Sequence, residues 1–326
     1  MMIVVCVLVL MVGFAALIKG ADLFVDGSAA LAKNFRVPGL IIGLTIVALG
    51  TSAPELAVST SAALQGANEI ALSNVVGSNI FNLLCVLGVC AVIHPVPVDA
   101  EILKRDFPVS IGSTVLVLLL TSAPCVFSGA FLQIGMQDTA GTVSRITGII
   151  LFVLFLVYIV RLILDAKKHP EQEDDTKPYP IWKCILLIGI GLALIVAGGQ
   201  AVVYGAKEIA REAGMTETLI GLTIVAVGTS LPELVTSVVA ARKGETGLAV
   251  GNVIGSNIFN LMFILGISAA ICPITVNTAS VYDMGILIAV SLMTFFFSLS
   301  GKTLKRPEGI VMVAVYVADV IFAIVR

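Results

Sequence analysis

Long apolar stretches alternate with short polar breaks along the whole chain. A helix that crosses the hydrocarbon layer of a bilayer needs about 20 mostly apolar residues. Nine breaks leave ten candidate helices, so the pattern predicts an all-α membrane protein with ten transmembrane helices. The breaks lie at Lys33–Pro38, Gln65–Glu69, His94–Asp106, Ala123–Arg145, Arg161–Lys183, Arg211–Thr218, Arg242–Gly247, Pro273–Asp283 and Gly301–Glu308.

The composition supports the membrane class and excludes others. The 326 residues are 58% hydrophobic and 12% charged, with a mean hydropathy of +1.09. A soluble domain carries about 25% charged residues, so this chain has too few to cover a surface in water. No face combines basic with aromatic residues, so nucleic acid is not an expected partner. Met1–Ile18 lacks a basic start and a cleavage site, which predicts a retained first helix.

The basic residues predict the orientation of the helices. Of the 19 lysines and arginines, 14 fall in alternate breaks, beginning with Lys33–Pro38. Because cytoplasmic loops of membrane proteins carry the excess of Lys and Arg, both termini are expected outside. The Arg161–Lys183 break contains the polar run KKHPEQEDDTKPYP, which predicts a cytoplasmic linker over 166–182. Within the first helix, Lys19, Asp22 and Asp26 are expected to form local ion pairs.

An internal repeat is the most specific feature of the sequence. GLTIVALGTSAPELAVSTSAA from Gly43 matches GLTIVAVGTSLPELVTSVVAA from Gly221 at 15 of 21 positions, 178 residues later. At the same offset, NVVGSNIFN from Asn74 matches NVIGSNIFN from Asn252 at eight of nine positions. Two blocks at one offset indicate a duplication, with halves at 1–165 and 183–326. Five helices in each half make the repeat inverted, an architecture typical of secondary transporters with broken helices at a central site.

The repeated blocks place oxygen atoms on shared helix faces. Thr51 and Ser52 lie four and three residues before Glu55, so the three side chains share one face. Pro54 has no N–H and therefore releases the carbonyl of Gly50. The second half repeats this set at Thr229, Ser230, Pro232 and Glu233. The other block aligns amides and a hydroxyl at Asn74, Ser78 and Asn82, and again at Asn252, Ser256 and Asn260.

The chemistry of these groups favours a hard cation. The set contains carboxylates, hydroxyls, amide oxygens and carbonyls, with no histidine or cysteine. Calcium takes about six to eight oxygen ligands at flexible distances, whereas zinc and copper prefer nitrogen or sulfur. Two glutamates neutralise one divalent ion, and the neutral oxygens are suited to sodium. Antiport requires a site that can bind calcium or sodium but cannot be fully occupied by both ions at the same time.

The same residues carry a family resemblance. GTSAPE and GTSLPE, each followed by NVxGSNIFN, resemble the two repeats of the cation/calcium exchanger superfamily. The length, the ten helices and the repeat positions resemble its compact prokaryotic sodium/calcium exchangers over nearly the whole chain.

The resemblance implies roles for twelve residues. Glu55 and Glu233 would share a central calcium site, to which Thr51 and Thr229 contribute. The sodium sites would use the carbonyls of Ala48 and Ala226 and the hydroxyls of Ser52, Ser78, Ser230 and Ser256. Asn82 and Asn260 would complete the ring. Potassium-dependent relatives carry Asp at the position of Asn260, so this chain has one carboxylate fewer and a weaker case for potassium transport.

These observations predict a sodium/calcium antiporter that exports calcium by alternating access. The predicted partners are calcium and sodium ions and the lipid bilayer, with no cofactor and no required oligomer, in the inner membrane of a prokaryote. A calcium/proton or other cation/proton antiporter that uses the same carboxylates is the first alternative, and a cation channel is the second. An intramembrane enzyme would need a nucleophile and a base in the apolar segments, and the sequence offers no such pair.

Overall fold

The structure is a computed structural model that describes residues 2–65, 68–168, 179–215 and 226–325. The described chain is predominantly helical. The helices are α1 (Met2–Phe35), α2 (Gly39–Thr51), α3 (Ala53–Leu64), α4 (Ile70–Ile93, with a first turn from Asn68), α5 (Ile102–Phe127), α6 (Arg145–Lys168), α7 (Ile181–Glu212), α8 (Ala226–Thr229), α9 (Leu231–Arg242), α10 (Thr246–Ile271), α11 (Thr278–Leu299) and α12 (Arg306–Val325). A short 3-10 turn, Ala130–Leu132, follows α5.

The lengths of the helices confirm a multi-pass membrane protein. Eight helices are long and apolar enough to cross a bilayer, and the bent pair α2–α3 makes a ninth among the described residues. The predicted seventh span includes α8 and α9, but residues 216–225 before them lie outside the described residues. Ten spans therefore remain a prediction. Most of the predicted 166–182 linker also lies outside the described residues, since α6 reaches Lys168 and α7 starts at Ile181.

Helices α1 and α7 pack in opposite directions along most of their length. Their contact surface is a ladder of glycines spaced by seven residues on each helix. A Cβ atom on Gly20 would lie 2.8 Å from the Gly191 carbonyl oxygen, and one on Gly198 would lie 2.8 Å from the Gly13 carbonyl oxygen. Small residues allow such backbone contact in membranes. The ladder consists of Gly13, Gly20 and Gly27 on α1 and Gly191, Gly198 and Gly205 on α7, related by the same 178-residue offset as the repeated blocks.

The centre of the molecule is formed by α2, α3, α4, α9 and α10. Glycines again set the closest approach, because a Cβ on Gly251 of α10 would lie 2.6 Å from the Leu40 carbonyl oxygen of α2. Most residues of α4 and α10 are buried, whereas few residues of α12 are. Each of the two buried helices contains a π-helical turn, at Asn82–Val86 and at Phe259–Ile264. Such turns occur often at functional sites.

Two short strand pairs, which the sequence analysis did not predict, join the ends of helices. Strand β1 (Val96–Pro97) pairs with β4 (Thr303–Leu304), and β2 (Thr139–Val143) pairs with β3 (Ile274–Asn277), both antiparallel. Each pair connects a loop of the first half with a loop of the second. Their backbone hydrogen bonds satisfy polar groups at loop positions that have no helical partner.

The charges on α1 are paired, but not only locally as predicted. The Lys19 Nζ atom lies 3.1 Å from the Asp22 carboxylate, as expected for neighbours on one helix face. Lys243, at the end of α9, also reaches α1, with its Nζ atom 2.5 Å from the Asp22 carboxylate and 2.6 Å from the Asp26 carboxylate. The ion pairs therefore connect the α1–α7 pair to the central helices.

The glycine ladder gives a testable prediction. We expect Gly191→Ala to destabilise the protein, because its Cβ would lie 2.6 Å from the Phe24 amide nitrogen and force α1 and α7 apart. Overpacking of this kind costs about 1–3 kcal/mol. Gly189→Ala is the matched control, since a Cβ there meets no atom within 4 Å. Thermal unfolding of the purified proteins should give a lower midpoint for Gly191→Ala alone, and equal midpoints for the two variants would contradict the packing account.

Candidate functional site

Two fully buried glutamates lie at the starts of α3 and α9. Glu55 and Glu233 are each the third residue of their helix and follow a break at a serine. The backbone of Ser52 (φ −83°, ψ 10°) and that of Ser230 (φ −94°, ψ 7°) leave the helical conformation. A proline at the first turn of each helix has no N–H to continue the preceding helix. The break in the first half bends the chain by 49°.

Serine hydroxyls link each glutamate to the opposite half of the chain. Ser230 donates to Glu55 Oε1 at 2.9 Å, and Ser52 donates to Glu233 Oε1 at 2.8 Å. The two bonds are equivalent in the repeat, because Ser230 and Glu233 lie 178 residues after Ser52 and Glu55. The structure thus brings four of the predicted ligands together at the interface of the two halves.

Two further predicted serines join this cluster from α4 and α10. The hydroxyl of Ser256 lies 3.0 Å from that of Ser52. The hydroxyl of Ser78 lies 3.5 Å from Glu55 Oε1. Both side chains are buried. All four predicted serines therefore lie next to a glutamate or to its bonded serine.

The two predicted threonines occupy different surroundings. Thr51 is buried and donates to Asn252 Oδ1 at 3.0 Å. Thr229 is half-buried and lines a cavity of about 360 Å³, together with Pro54 and Pro232. The cavity continues between α7 and the broken helices as far as Lys207, Glu208 and Arg211. The cavity therefore extends from the end of α7 to the prolines next to the two glutamates, which do not line it themselves.

The predicted carbonyl ligands also differ between the halves. The Ala48 carbonyl accepts the Ser52 N–H at 3.0 Å and lies 3.4 Å from the Thr51 hydroxyl. In the second half, the Ser230 N–H donates to the Val227 carbonyl at 3.2 Å. Ala226 begins α8, which ends at the break before Glu233. Carbonyls at the C-terminal ends of half-helices commonly coordinate cations in transporters.

Asn82 and Asn260 are fully buried at the two π-helical turns. Their amide nitrogens are bonded, Asn82 Nδ2 to Asn257 Oδ1 at 3.2 Å and Asn260 Nδ2 to Asn79 Oδ1 at 3.0 Å. Asn79 and Asn257 were not among the predicted site residues. The signal was available, because both belong to the repeated NVxGSNIFN block and precede Asn82 and Asn260 by three residues.

Asn74 and Asn252 connect the helices that surround the glutamates. Asn74 Nδ2 donates to the Ser59 hydroxyl at 3.0 Å, and Asn252 Nδ2 donates to the Ser237 hydroxyl at 2.9 Å. These equivalent bonds join α3 to α4 and α9 to α10. The two serines were not predicted, although both lie in the longer repeated block and one turn beyond a glutamate.

Four oxygens in the site have no hydrogen-bond donor within the described chain. They are Glu55 Oε2, Glu233 Oε2, Asn82 Oδ1 and Asn260 Oδ1. A buried acceptor without a partner costs about 1–3 kcal/mol, and more if it is charged. A cation bound to these oxygens removes that cost. Among the described residues, no group of three or more His, Cys, Asp or Glu side chains is arranged so that it could hold a metal ion. The all-oxygen set of the site fits a hard cation.

Comparison with known proteins identifies the family. The sequence pattern of the sodium/calcium exchanger protein family matches residues 5–164 and 183–325. The chain belongs to this family. It is 38% identical to the putative antiporter CaxA of Alkalimonas amylolytica, over 94% of this chain and 95% of that protein. It is 35% identical to the sodium/calcium exchanger MaX1 of Methanosarcina acetivorans, over 97% of this chain and 98% of that protein.

A solved exchanger has the same fold. The sodium-calcium exchanger NCX_Mj, soaked with zero Na+ and Ca2+, superposes on this chain with a TM-score of 0.82 at 30% identity, covering 99% of this chain and 100% of that one. The predicted superfamily and the all-helical membrane fold are therefore confirmed. As a member of the sodium/calcium exchanger family, the chain is a multi-pass membrane transporter and not an enzyme.

The bonds of the site give a second prediction. We expect Asn252→Ala to destabilise the exchanger more than its repeat equivalent, Asn74→Ala. Asn252 is fully buried and bonds to the Thr51 and Ser237 hydroxyls, so the loss of both bonds should cost about 1–3 kcal/mol. Asn74 is half-buried beside a cavity of about 130 Å³, where water can replace it. Thermal unfolding in detergent checks the order, and a larger loss for Asn74→Ala would refute it.

Proposed function

We propose that this exchanger exports calcium in exchange for sodium by alternating access. The observation that carries the proposal is the set of four buried oxygens without donors, two carboxylate and two amide, contributed equally by the two halves. Two carboxylates balance the charge of one calcium ion. The amide oxygens and the surrounding hydroxyls supply the further neutral ligands that calcium needs.

Sodium competes for the same carboxylates in this proposal. Calcium would bind between Glu55 and Glu233, with Thr51, Thr229, Asn82 and Asn260 around it. Sodium ions would bind the carbonyls of Ala48 and Ala226 together with Ser52, Ser78, Ser230 and Ser256. Because Ser52 and Ser230 are hydrogen-bonded to the glutamates, a sodium ion at either serine draws on the same negative charge. Occupation by sodium then weakens the attraction for calcium.

The proposed architecture has ten transmembrane helices in two inverted halves. The halves are 1–165 and 183–326, with a cytoplasmic linker at 166–182 and both termini outside the inner membrane of a prokaryote. The antiparallel glycine ladder of α1 and α7 supports the inversion, because Gly20 contacts Gly191 and Gly13 contacts Gly198, so that the equivalent helices of the two halves run in opposite directions. We infer that this pair moves across the central helices to open the site to one side at a time.

Calcium uptake into proteoliposomes tests the function. Wild-type vesicles loaded with sodium should accumulate calcium-45 from sodium-free buffer, because outward sodium flow drives inward calcium movement. Glu55→Gln and Glu233→Gln should each abolish uptake, because one carboxylate cannot neutralise a divalent ion in a buried site. Glu101→Gln, at an exposed glutamate, is the matched control and should retain uptake.

The imposed gradient separates the alternatives. Vesicles without sodium but with a pH gradient should accumulate no calcium, and uptake in that arm would show a calcium/proton antiporter. Calcium entry that needs no counter-ion would show a channel. Normal sodium-driven uptake by both glutamine variants would refute the assigned site. Size-exclusion chromatography of each variant shows whether a loss of uptake reflects misfolding.

A further inference from the structure

Four asparagines form a reciprocal network between α4 and α10. Asn79 Nδ2 donates to the Asn257 backbone carbonyl at 3.1 Å, and Asn257 Nδ2 donates to the Asn79 backbone carbonyl at 3.2 Å. The side-chain oxygens of the same two residues accept from the next turn of the opposite helix. Asn79 Oδ1 accepts from Asn260 Nδ2 at 3.0 Å, and Asn257 Oδ1 accepts from Asn82 Nδ2 at 3.2 Å.

The backbone carbonyls fix which way every amide points. A carbonyl oxygen can only accept, so each of Asn79 and Asn257 must direct its Nδ2 group to the carbonyl of the other. Their Oδ1 atoms must then face Asn260 and Asn82, which can approach these oxygens only with their own Nδ2 groups. The remaining oxygens, Asn82 Oδ1 and Asn260 Oδ1, are consequently directed away from the network.

The two oxygens belong to turns that pack against the helices of the two glutamates. The turn Asn82–Val86 packs against α9, which carries Glu233, and the turn Phe259–Ile264 packs against α3, which carries Glu55. Both amide oxygens are buried and have no donor among the described residues, as is also true of one oxygen of each glutamate. A rotated amide would present two N–H donors to a cation instead of an oxygen.

We propose that Asn79 and Asn257 are positioning residues that hold the amides of Asn260 and Asn82 with their oxygens toward the transported cation. Each ligand is thereby set by a residue of the opposite half. The inference rests on the proposed cation site, but it adds residues that contact no ion. It also gives a reason why residue 260 is an asparagine. An ionised aspartate there would place a carboxylate oxygen against Asn79 Oδ1, and two acceptors cannot form a hydrogen bond.

A double-mutant cycle on calcium affinity tests the proposal. The four proteins are the wild type, Asn79→Ser, Asn260→Ala and the double variant, and the readout is the Kd for calcium-45 binding to purified protein without sodium. Asn79→Ser should raise the Kd about two- to tenfold, the range expected for one hydrogen bond. In the Asn260→Ala background it should change the Kd no further, because Asn79 acts through the missing amide.

A crossed pair is the control. Asn82 is oriented by Asn257 and not by Asn79, so Asn79→Ser should raise the Kd in the Asn82→Ala background by the same factor as in the wild type. Thermal stability should fall with Asn79→Ser in every background, because the bond to the Asn257 carbonyl is lost. If the Asn79 variants do not fold, Asn257→Ser with Asn82→Ala gives the equivalent cycle.

The outcomes separate this inference from the proposed function. An equal effect of Asn79→Ser on the Kd with and without the Asn260 side chain, or no effect in the wild type, overturns the positioning role. A wild-type protein that binds calcium but does not exchange it for sodium overturns the antiport alone. A wild-type protein that binds no calcium overturns both.

Discussion

Two carboxylates that are fully buried in a membrane protein are the constraint on which the rest of this structure depends. Taking a charged group out of water costs several kcal/mol even after the surroundings relax. In the described chain, the side-chain oxygens of Glu55 and Glu233 receive hydrogen bonds from hydroxyl groups and not from lysine or arginine. In the proposed function, the protein supplies the negative charge and a transported ion supplies the positive charge. An empty site would then be costly, so one ion would leave only when another replaces it.

The rest of the structure holds these oxygens at the centre. The breaks at Ser52 and Ser230 place each glutamate in the first turn of a half-helix, opposite the end of the preceding half. Glycines such as Gly251 allow the broken helices to lie against α10 at backbone distance. The glycine ladder holds α1 and α7 against each other at backbone distance, so the two helices form one unit beside the central helices. In the proposed mechanism this unit moves while the ligands stay in place.

Much of the fold and of the candidate site could be predicted from the sequence, because the apolar composition reflects the membrane and the internal repeat marks the polar groups of the site. A carboxylate such as Glu55 is costly in an apolar segment without a partner. The repeat places a second carboxylate at Glu233, and the two together predict a shared cation site. Helical periodicity predicted that Ser78 and Asn82 share one face. Both are buried, Ser78 beside Glu55 and Asn82 beside Asn257. Periodicity does not show what lies across the interface, so the bond from Ser230 to Glu55 emerged only from the three-dimensional structure.

Other features depend on packing that a sequence pattern does not contain. Thr51 bonds to Asn252 whereas Thr229 lines a cavity, although the sequence contexts of the two threonines are nearly identical. The network of Asn79 and Asn257 requires α4 and α10 to meet at one level, which the 178-residue offset alone does not establish. The strand pairs form between loops far apart in sequence, with too few residues for a period-two pattern.

Equilibrium competition between calcium and sodium tests the central claim most directly. Purified exchanger in detergent is saturated with calcium-45, and sodium is then added at constant ionic strength. The account predicts one bound calcium per chain, displaced completely by sodium with a Hill coefficient above one, because sodium ions and calcium compete for the same two carboxylates. Calcium that stays bound at saturating sodium would contradict the account, since the two ions would then occupy independent sites.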